Sequence, residues 1–471
     1  MPRMVRWMLS AVFLSAVLAW TAMRHGPVTA AADAGRSLGP AVAGVSEVDR
    51  VRGSVRRQIG WDHAHARLLR DMPTGRDIPA ALVEPGQNYA PRAMRGTTFI
   101  LQSGPSGVSG HASNSARKAF GDDAAGAGVS RVHCFSTNDW LTSGYLKTGS
   151  RDNPDDWTEA RVFSHSWIAA QTEHTPVLLR RVDYAIDTYD VVMAVGLNNG
   201  AGEVPHLLAS AYNVISVGRS DGQHSRGGTR IEVNGRCKPE IVAPGGLTSE
   251  TTPIIAGCAA ALLQSADALA KTDPRGMAGH AAKSEVIKAL LLGGAWKPDG
   301  WRPDAGKPLD PEWGAGQVDL DRSLLMQAGG PVEPGVTDRR YAWSFAQAEP
   351  VDTIGYRFEV DQDQGEACFT LVWNRQVAGG VVTLEHPQTG QPVTMWNNAS
   401  QMPNLDLRLL RLGGDGESRV IASSTSRIDN VEVVYLRELP AGSYRLEVRR
   451  GRDTIEADWP YALAWRIEGP E

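Results

Sequence analysis

One stretch limits the folds open to this chain more than any other. It is Ile241-Val242-Ala243-Pro244-Gly245-Gly246-Leu247-Thr248-Ser249-Glu250-Thr251-Thr252-Pro253-Ile254-Ile255-Ala256-Gly257. An apolar run reads as a buried strand, a Pro/Gly loop breaks it, and a second apolar run of helical length follows. This is a strand–loop–helix unit, the building block of a parallel sheet with helices on its faces. The loop leaves Thr248-Ser249 at the mouth of the helix. There the unpaired N–H groups and the positive end of the dipole favour negative charge. A serine so placed suits a nucleophile whose reaction makes an oxyanion, and it serves equally as a plain N-cap.

A seryl hydroxyl needs a base to take its proton, and the base needs a third group to hold it. Upstream, Gly110-His111-Ala112-Ser113-Asn114-Ser115-Ala116 opens a helix-compatible run and offers His111 as the base. Further upstream, Ile78-Pro79-Ala80-Ala81-Leu82-Val83-Glu84-Pro85-Gly86 reads as a short buried strand closed by Pro-Gly. Glu84 stands at its end, and Asp77, ahead of the strand, is the other acid available. The β-branched run Tyr189-Asp190-Val191-Val192-Met193-Ala194-Val195-Gly196-Leu197-Asn198-Asn199-Gly200 ends in an Asn-x-Gly turn. Its Asn198 is a candidate oxyanion donor.

In this order the motifs resemble those of the subtilisin-like serine proteases, the subtilases. Lys238-Pro239-Glu240-Ile241-Val242-Ala243-Pro244-Gly245 is similar to the family's Lys-Pro-Asp-Ile-Val-Ala-Pro-Gly, and Thr248-Ser249-x-x-x-Pro253 to its Gly-Thr-Ser-x-Ala-x-Pro. The His111 segment resembles His-Gly-Thr-x-Val-Ala, and the Asn198 segment resembles Val-Val-x-Ala-x-Gly-Asn-x-Gly. Asn213-Val214-Ile215-Ser216-Val217-Gly218 looks like the strand that follows. Val162-Phe163-Ser164-His165-Ser166-Trp167 resembles the substrate-binding strand, and Glu312-Trp313-Gly314-Ala315-Gly316 the closing segment. The resemblance implies a Ser249/His111/Glu84 triad with Asn198 at the oxyanion, and Ser166, Trp167, Ile168 and Leu197 beside the substrate. It implies protein or peptide substrates and chemistry that needs no cofactor.

Several positions depart from the family. Glu84 replaces an Asp, and its extra methylene moves the carboxylate outward by about one bond length, where catalysis is sensitive to errors near 1 Å. Leu197 and Ile168 stand where small glycines usually sit, so the primary pocket is expected to be narrow and to prefer small side chains. Glu250 follows the serine; it favours the helix dipole, and its side chain is expected to face solvent. These departures keep a second reading open: a subtilase-fold binding or scaffold protein with a decayed site. An esterase using the same triad is a third.

At 471 residues the chain is too long for one average domain. Two arginines in residues 1–6, an uncharged apolar run over residues 7–23 and small residues near Ala30–Ala34 predict a signal peptide over 1–34. Export to the medium, periplasm or cell envelope follows, with no membrane attachment after cleavage. No other segment is expected to cross a bilayer. Residues 35–60 form a pre-segment short for the folded inhibitory propeptide that the resemblance implies, so another activation route is expected. The catalytic domain is placed at 61–328. After the linker Gly329-Gly330-Pro331-Val332-Glu333-Pro334-Gly335, helical periodicity gives way to short alternating runs, and a jelly-roll β-sandwich is placed at 333–471. The fold class is therefore α/β, mostly parallel and flanked by helices, followed by a β-sandwich. Acids near Asn404-Leu405-Asp406 and Asp429-Asn430 suit a structural Ca²⁺ and equally suit turns. A net charge of −5 and the absence of a basic run give no reason to expect nucleic-acid binding. The four cysteines lack metal-ligand spacing.

Overall fold

The computed structural model describes residues 53–469, apart from 87–88, 106, 157–158, 171, 205–206, 273–275, 304–305, 386–387 and 414–416. The signal peptide and most of the pre-segment lie outside the described residues.

The centre of the molecule is a seven-stranded parallel sheet. Its strands are β1 (Ala80–Glu84), β2 (Thr98–Leu101), β3 (Arg131–Ser136), β4 (Val162–His165), β5 (Val192–Gly196), β6 (Ile215–Arg219) and β9 (Ile241–Ala243). They lie in the order β2-β3-β1-β4-β5-β6-β9. A small ribbon, β7 (Gly227–Gly228) with β8 (Cys237–Lys238), lies between the last two in sequence. β1 pairs with β3 on one side and β4 on the other, both parallel. The direction of winding therefore reverses at β1, and such switch points open a crevice at the carboxyl ends of the strands. Strands β1, β5 and β9 are buried on both faces, which is why they read as unbroken apolar runs rather than alternating ones, while the edge strand β2 stays partly exposed.

Helices α1 (Trp61–Leu68), α2 (Gly110–Phe120), α4 (Thr248–Thr272), α5 (Ser284–Gly294) and α6 (Leu320–Gly329) cover one face of the sheet. Helix α3 (Thr175–Tyr189) covers the other with Leu178, Leu179, Val182, Ala185 and Ile186. Ser109 caps α2 by accepting the Ala112 N–H at 3.1 Å. Over residues 251–263 helix α4 is buried on every side and so lies inside the core, while its last turns reach the surface with Asp267 and Lys271. By length and composition alone α4 also qualifies as a membrane span, contrary to the expectation that no segment beyond the leader does. Two thirds of that window (67%) is buried against the sheet and its neighbours, so its apolarity serves the protein interior.

The remaining strands build a sandwich. One sheet joins β10 (Gly335–Val336), β12 (Thr353–Val360), β21 (Gly442–Arg450), β18 (Leu405–Leu412) and β19 (Ser418–Ser424) in that order. The other joins β11 (Tyr341–Ala348), β22 (Trp459–Ile467), β13 (Ala367–Val372) and β20 (Val431–Leu436). All pairs are antiparallel except β10 with β12. Tyr356, Phe358, Phe369, Trp373, Leu407, Leu446 and Trp465 fill the space between the sheets. The outer face of the four-stranded sheet carries Trp343, Cys368, Val372, Val433 and Ala464 into the same core as α5 and α6. That sheet is thus covered twice, and β13 is buried along its whole length. Two smaller pieces, β14 (Gln376–Val377) with β17 (Ser400–Gln401) and the hairpin β15 (Val381–Glu385) with β16 (Pro392–Trp396), reach toward α3, where Trp396 meets Tyr184.

A seam of buried polar groups joins the two parts. Asp183 of α3 is fully buried; it accepts the Asn213 backbone N–H at 2.8 Å and Arg375 Nε–H at 2.7 Å. Arg375 also pairs with Glu232, and its backbone N–H donates to Asn213 Oδ1 at 2.8 Å. Asn430 Nδ2 donates to the Tyr212 carbonyl at 3.1 Å, and Arg466 Nε to the Gly293 carbonyl at 3.1 Å.

All four cysteines are free and buried. Among the described residues no three His, Cys, Asp or Glu side chains converge on a point suited to a metal ion. The Asp429 carboxylate instead accepts from the Cys237 backbone N–H and the Ser426 hydroxyl, and Asp406 accepts from Asn404 Nδ2 at 3.0 Å.

Candidate active site

Glu84 is the last residue of β1, so the strand delivers its carboxylate to the crevice at the switch point. It is 1% exposed. His111 is the second residue of α2, and its Nδ1 is hydrogen-bonded to Glu84 Oε2. The longer arm of Glu, relative to the family's Asp, therefore still reaches the ring. Asp77 is exposed, lies at the opposite end of the strand with φ of +64°, and is not brought to the histidine.

Ser249 lies in the first turn of α4. Two features seat that turn. Gly257, further along α4, lets the helix lie directly on α2: a Cβ there would fall 2.6 Å from the Ala119 carbonyl oxygen. Pro253 has no N–H to return to the Ser249 carbonyl, which leaves the first turn less tied than a regular helix. Asn199 supplies a contact that sequence reasoning missed. Its Oδ1 accepts the Thr248 N–H at 2.8 Å and the Thr248 hydroxyl at 3.2 Å. Two adjacent asparagines before a glycine were the only signal in the sequence, and they did not separate the two roles.

The Glu250 side chain does not face away into solvent as expected. Its Oε2 accepts the Gly246 N–H at 2.9 Å, and Oε1 lies 3.4 Å from Asn114 Nδ2 on α2. An acid early in a helix can return to an orphan N–H of the preceding loop, and here it also spans to the helix that bears His111.

Ser166, Trp167, Ile168, Leu197 and Asn198 come together with Ser249 around one cleft, whose volume is about 20 Å³. That is room for about one water. Leu197 is 1% exposed and Trp167 5%, so the two bulky residues form fixed walls.

Other histidines near this edge are packed differently. His165, at the end of β4, is fully buried; burial lowers its pKa to about 3, and its ring meets Trp140 edge-on at 4.6 Å. His224 is pushed down to about 4, chiefly by burial, and its Nε2 and Nδ1 are taken by the Glu312 carbonyl and the Arg219 N–H. His111 is partly exposed and paired with a carboxylate, the arrangement a general base requires.

The model of the subtilase family matches residues 106–316, a span that contains His111, Asn198 and Ser249 but begins after Glu84. No curated protein matches the chain. Among solved structures, the patellamide maturation protease PatG is similar at 14% identity, over 59% of this chain and 96% of that one, with a TM-score of 0.37. Tripeptidyl peptidase 2 is similar at 11% identity over 76% of this chain and 40% of that one, with a TM-score of 0.31. A structure of the subtilase cytotoxin SubAB assembly shows 10% identity over 54% and 91%, with a TM-score of 0.34.

Proposed function

We propose that the α/β part of the chain, whose residues 106–316 match the subtilase family model, is a subtilase, and that the protein is an exported serine endopeptidase working through Ser249, His111 and Glu84. The observation that carries the reading is the bond between the buried Glu84 carboxylate and His111 Nδ1, on a helix packed against the one that bears Ser249. In the proposed reaction His111 Nε2 takes the Ser249 proton as Oγ attacks the scissile carbonyl, then returns it to the leaving amine. Glu84 holds the ring in the tautomer with its proton on Nδ1 and stabilises the imidazolium that forms. The oxyanion is held by Asn198 and the Ser249 backbone N–H at the N-terminus of α4. Water then releases the acyl group by the same steps. No cofactor enters this scheme. The narrow cleft walled by Leu197 and Ile168 supports a preference for small side chains before the scissile bond.

The test is intact-mass detection of a fluorophosphonate adduct on folded protein lacking residues 1–34, with Ser249→Ala beside it. One adduct on the parent and none on the variant is the expected result. No adduct on the parent would leave a binding role on a protease scaffold as the better reading.

A further inference from the structure

Away from the serine cleft, the outer face of the five-stranded sheet holds a much larger concavity. Its volume is about 590 Å³, and Thr353, Gly355, Arg357, Arg445, Glu447 and Arg449 line it. It is polar and open to solvent. The face lies on the far side of the sandwich from α5 and α6, with the four-stranded sheet between.

The charges here are arranged against the usual rule for strands. In the antiparallel register of β12 with β21, Arg357 stands directly opposite Arg445. Like charges in that relation destabilise a sheet unless something neutralises them. The protein supplies only part of that. Glu447, itself 6% exposed, pairs with Arg445. Among the described residues Arg357 and Arg449 have no ion-pair partner. The nearby acids are engaged elsewhere: Glu359 accepts from the Ser443 hydroxyl at 2.6 Å, and Asp406, opposite Arg449 across β18, pairs with Arg408 at 3.7 Å. Arg445 Nε is buried with no hydrogen-bond partner.

Shape agrees with charge. Gly355 sits mid-strand on β12, opposite Glu447, where a strand usually carries a side chain. A Cβ at 355 would come 3.3 Å from Arg445 Cδ and begin to fill the floor. Interior strand glycines are found where a ligand approaches the backbone. The lining has two positive charges in excess of its single acid, and it uses arginines, whose forks match oxyanions in pairs. A carboxylate would offset one of those charges; a divalent tetrahedral group offsets both.

We propose that Arg357, Arg445 and Arg449 form a binding site for a phosphate or sulfate group. Arg445, held by Glu447, and Arg357 across from it clasp the anion. Arg449, four residues along β21 and so about 13 Å further on, extends the positive track for a second group of a longer ligand. The site is independent of the peptidase reading.

Titration calorimetry on the full folded chain tests this, with inorganic phosphate and sulfate compared against chloride at matched ionic strength, and dextran sulfate as the polymeric source of the same group. Saturable binding above chloride is expected. Arg357→Gln should weaken it about tenfold, the loss of one charge-assisted bond. Gly355→Leu should abolish it with every arginine in place. Tighter binding of dextran sulfate than of the free ions assigns the site to esters on a polymer, and equal binding assigns it to the free ion. Circular dichroism and melting temperature check that the variants fold. No heat beyond chloride from any of the three probes overturns the proposal, as does unchanged affinity in both variants.

Discussion

Two of the carboxylates buried beside basic side chains in this molecule serve opposite ends. Asp183, in the seam, is bonded to Arg375, whose guanidinium keeps its proton at any working pH. Glu84, at the crevice, is bonded to His111, whose imidazole has one ring nitrogen on the carboxylate and a second that can exchange a proton. The seam ties Asp183 and Arg375 into a ring with Asn213 and Glu232. At the crevice the acid is hidden and the base stands at its edge. Burying a charge is tolerable when it is paired. What sets the outcome is whether the partner can change state.

Substitution should drive the two sites apart. Glu84→Gln keeps the shape but removes the charge that orients His111, and kcat on a small-residue peptide should fall by about 10⁴-fold with folding unchanged. An unchanged kcat would remove Glu84 from the mechanism. Arg375→Met strands Asp183 in the interior and should cost about 3–5 kcal/mol in urea unfolding. Adding Asp183→Asn should recover part of that loss, and a double variant as weak as the single one would mean that packing, not charge, governs the seam.

A third group near the seam titrates in its own right. Burial, reinforced by Asp187, raises the Glu285 carboxyl to about 7. Between the ordinary glutamate value of 4.5 and pH 7 the folded chain therefore keeps a proton that the unfolded chain has released. Stability from this group falls as pH rises through that window and levels off above it. Glu285→Gln should remove that slope, a gain on the order of 3 kcal/mol at pH 8 relative to parent, read from urea midpoints across pH. Parallel pH profiles for the two proteins would exclude it. The smallest effect is at the cleft. Leu197→Gly should raise kcat/KM for a Phe substrate relative to Ala by about tenfold, and no change in that ratio would free Leu197 from specificity.

The parts of this molecule that sequence revealed are those whose physics is local. The strand ending at Glu84, the cap-like entry to α2 and the apolar α4 each announce themselves within a dozen residues. In the sandwich, β13, β18, β20, β21 and β22 were legible as short apolar or alternating runs. Strand β11 and the exposed hairpin strands β15 and β16 gave no such signal, because half-buried or solvated strands carry weak patterns. The contacts of Asn199 and Glu250 were hidden because each depends on which loop arrives opposite. The seam was hidden more deeply: Asp183 and Arg375 are 192 positions apart, and nothing near either residue predicts the other.

Strand β22 has a bearing on how the protein is made. It spans Trp459–Ile467 and lies between β11 and β13, in the middle of the sheet that roofs α5. Synthesis delivers the serine and histidine helices first and this strand near the end. Until it emerges, the roof over α5 lacks its middle strand, and part of the apolar surface of the nascent front half stays bare. A ribosome that stops before residue 459 would release a chain that has its serine and histidine helices but a gap in the sheet that covers α5.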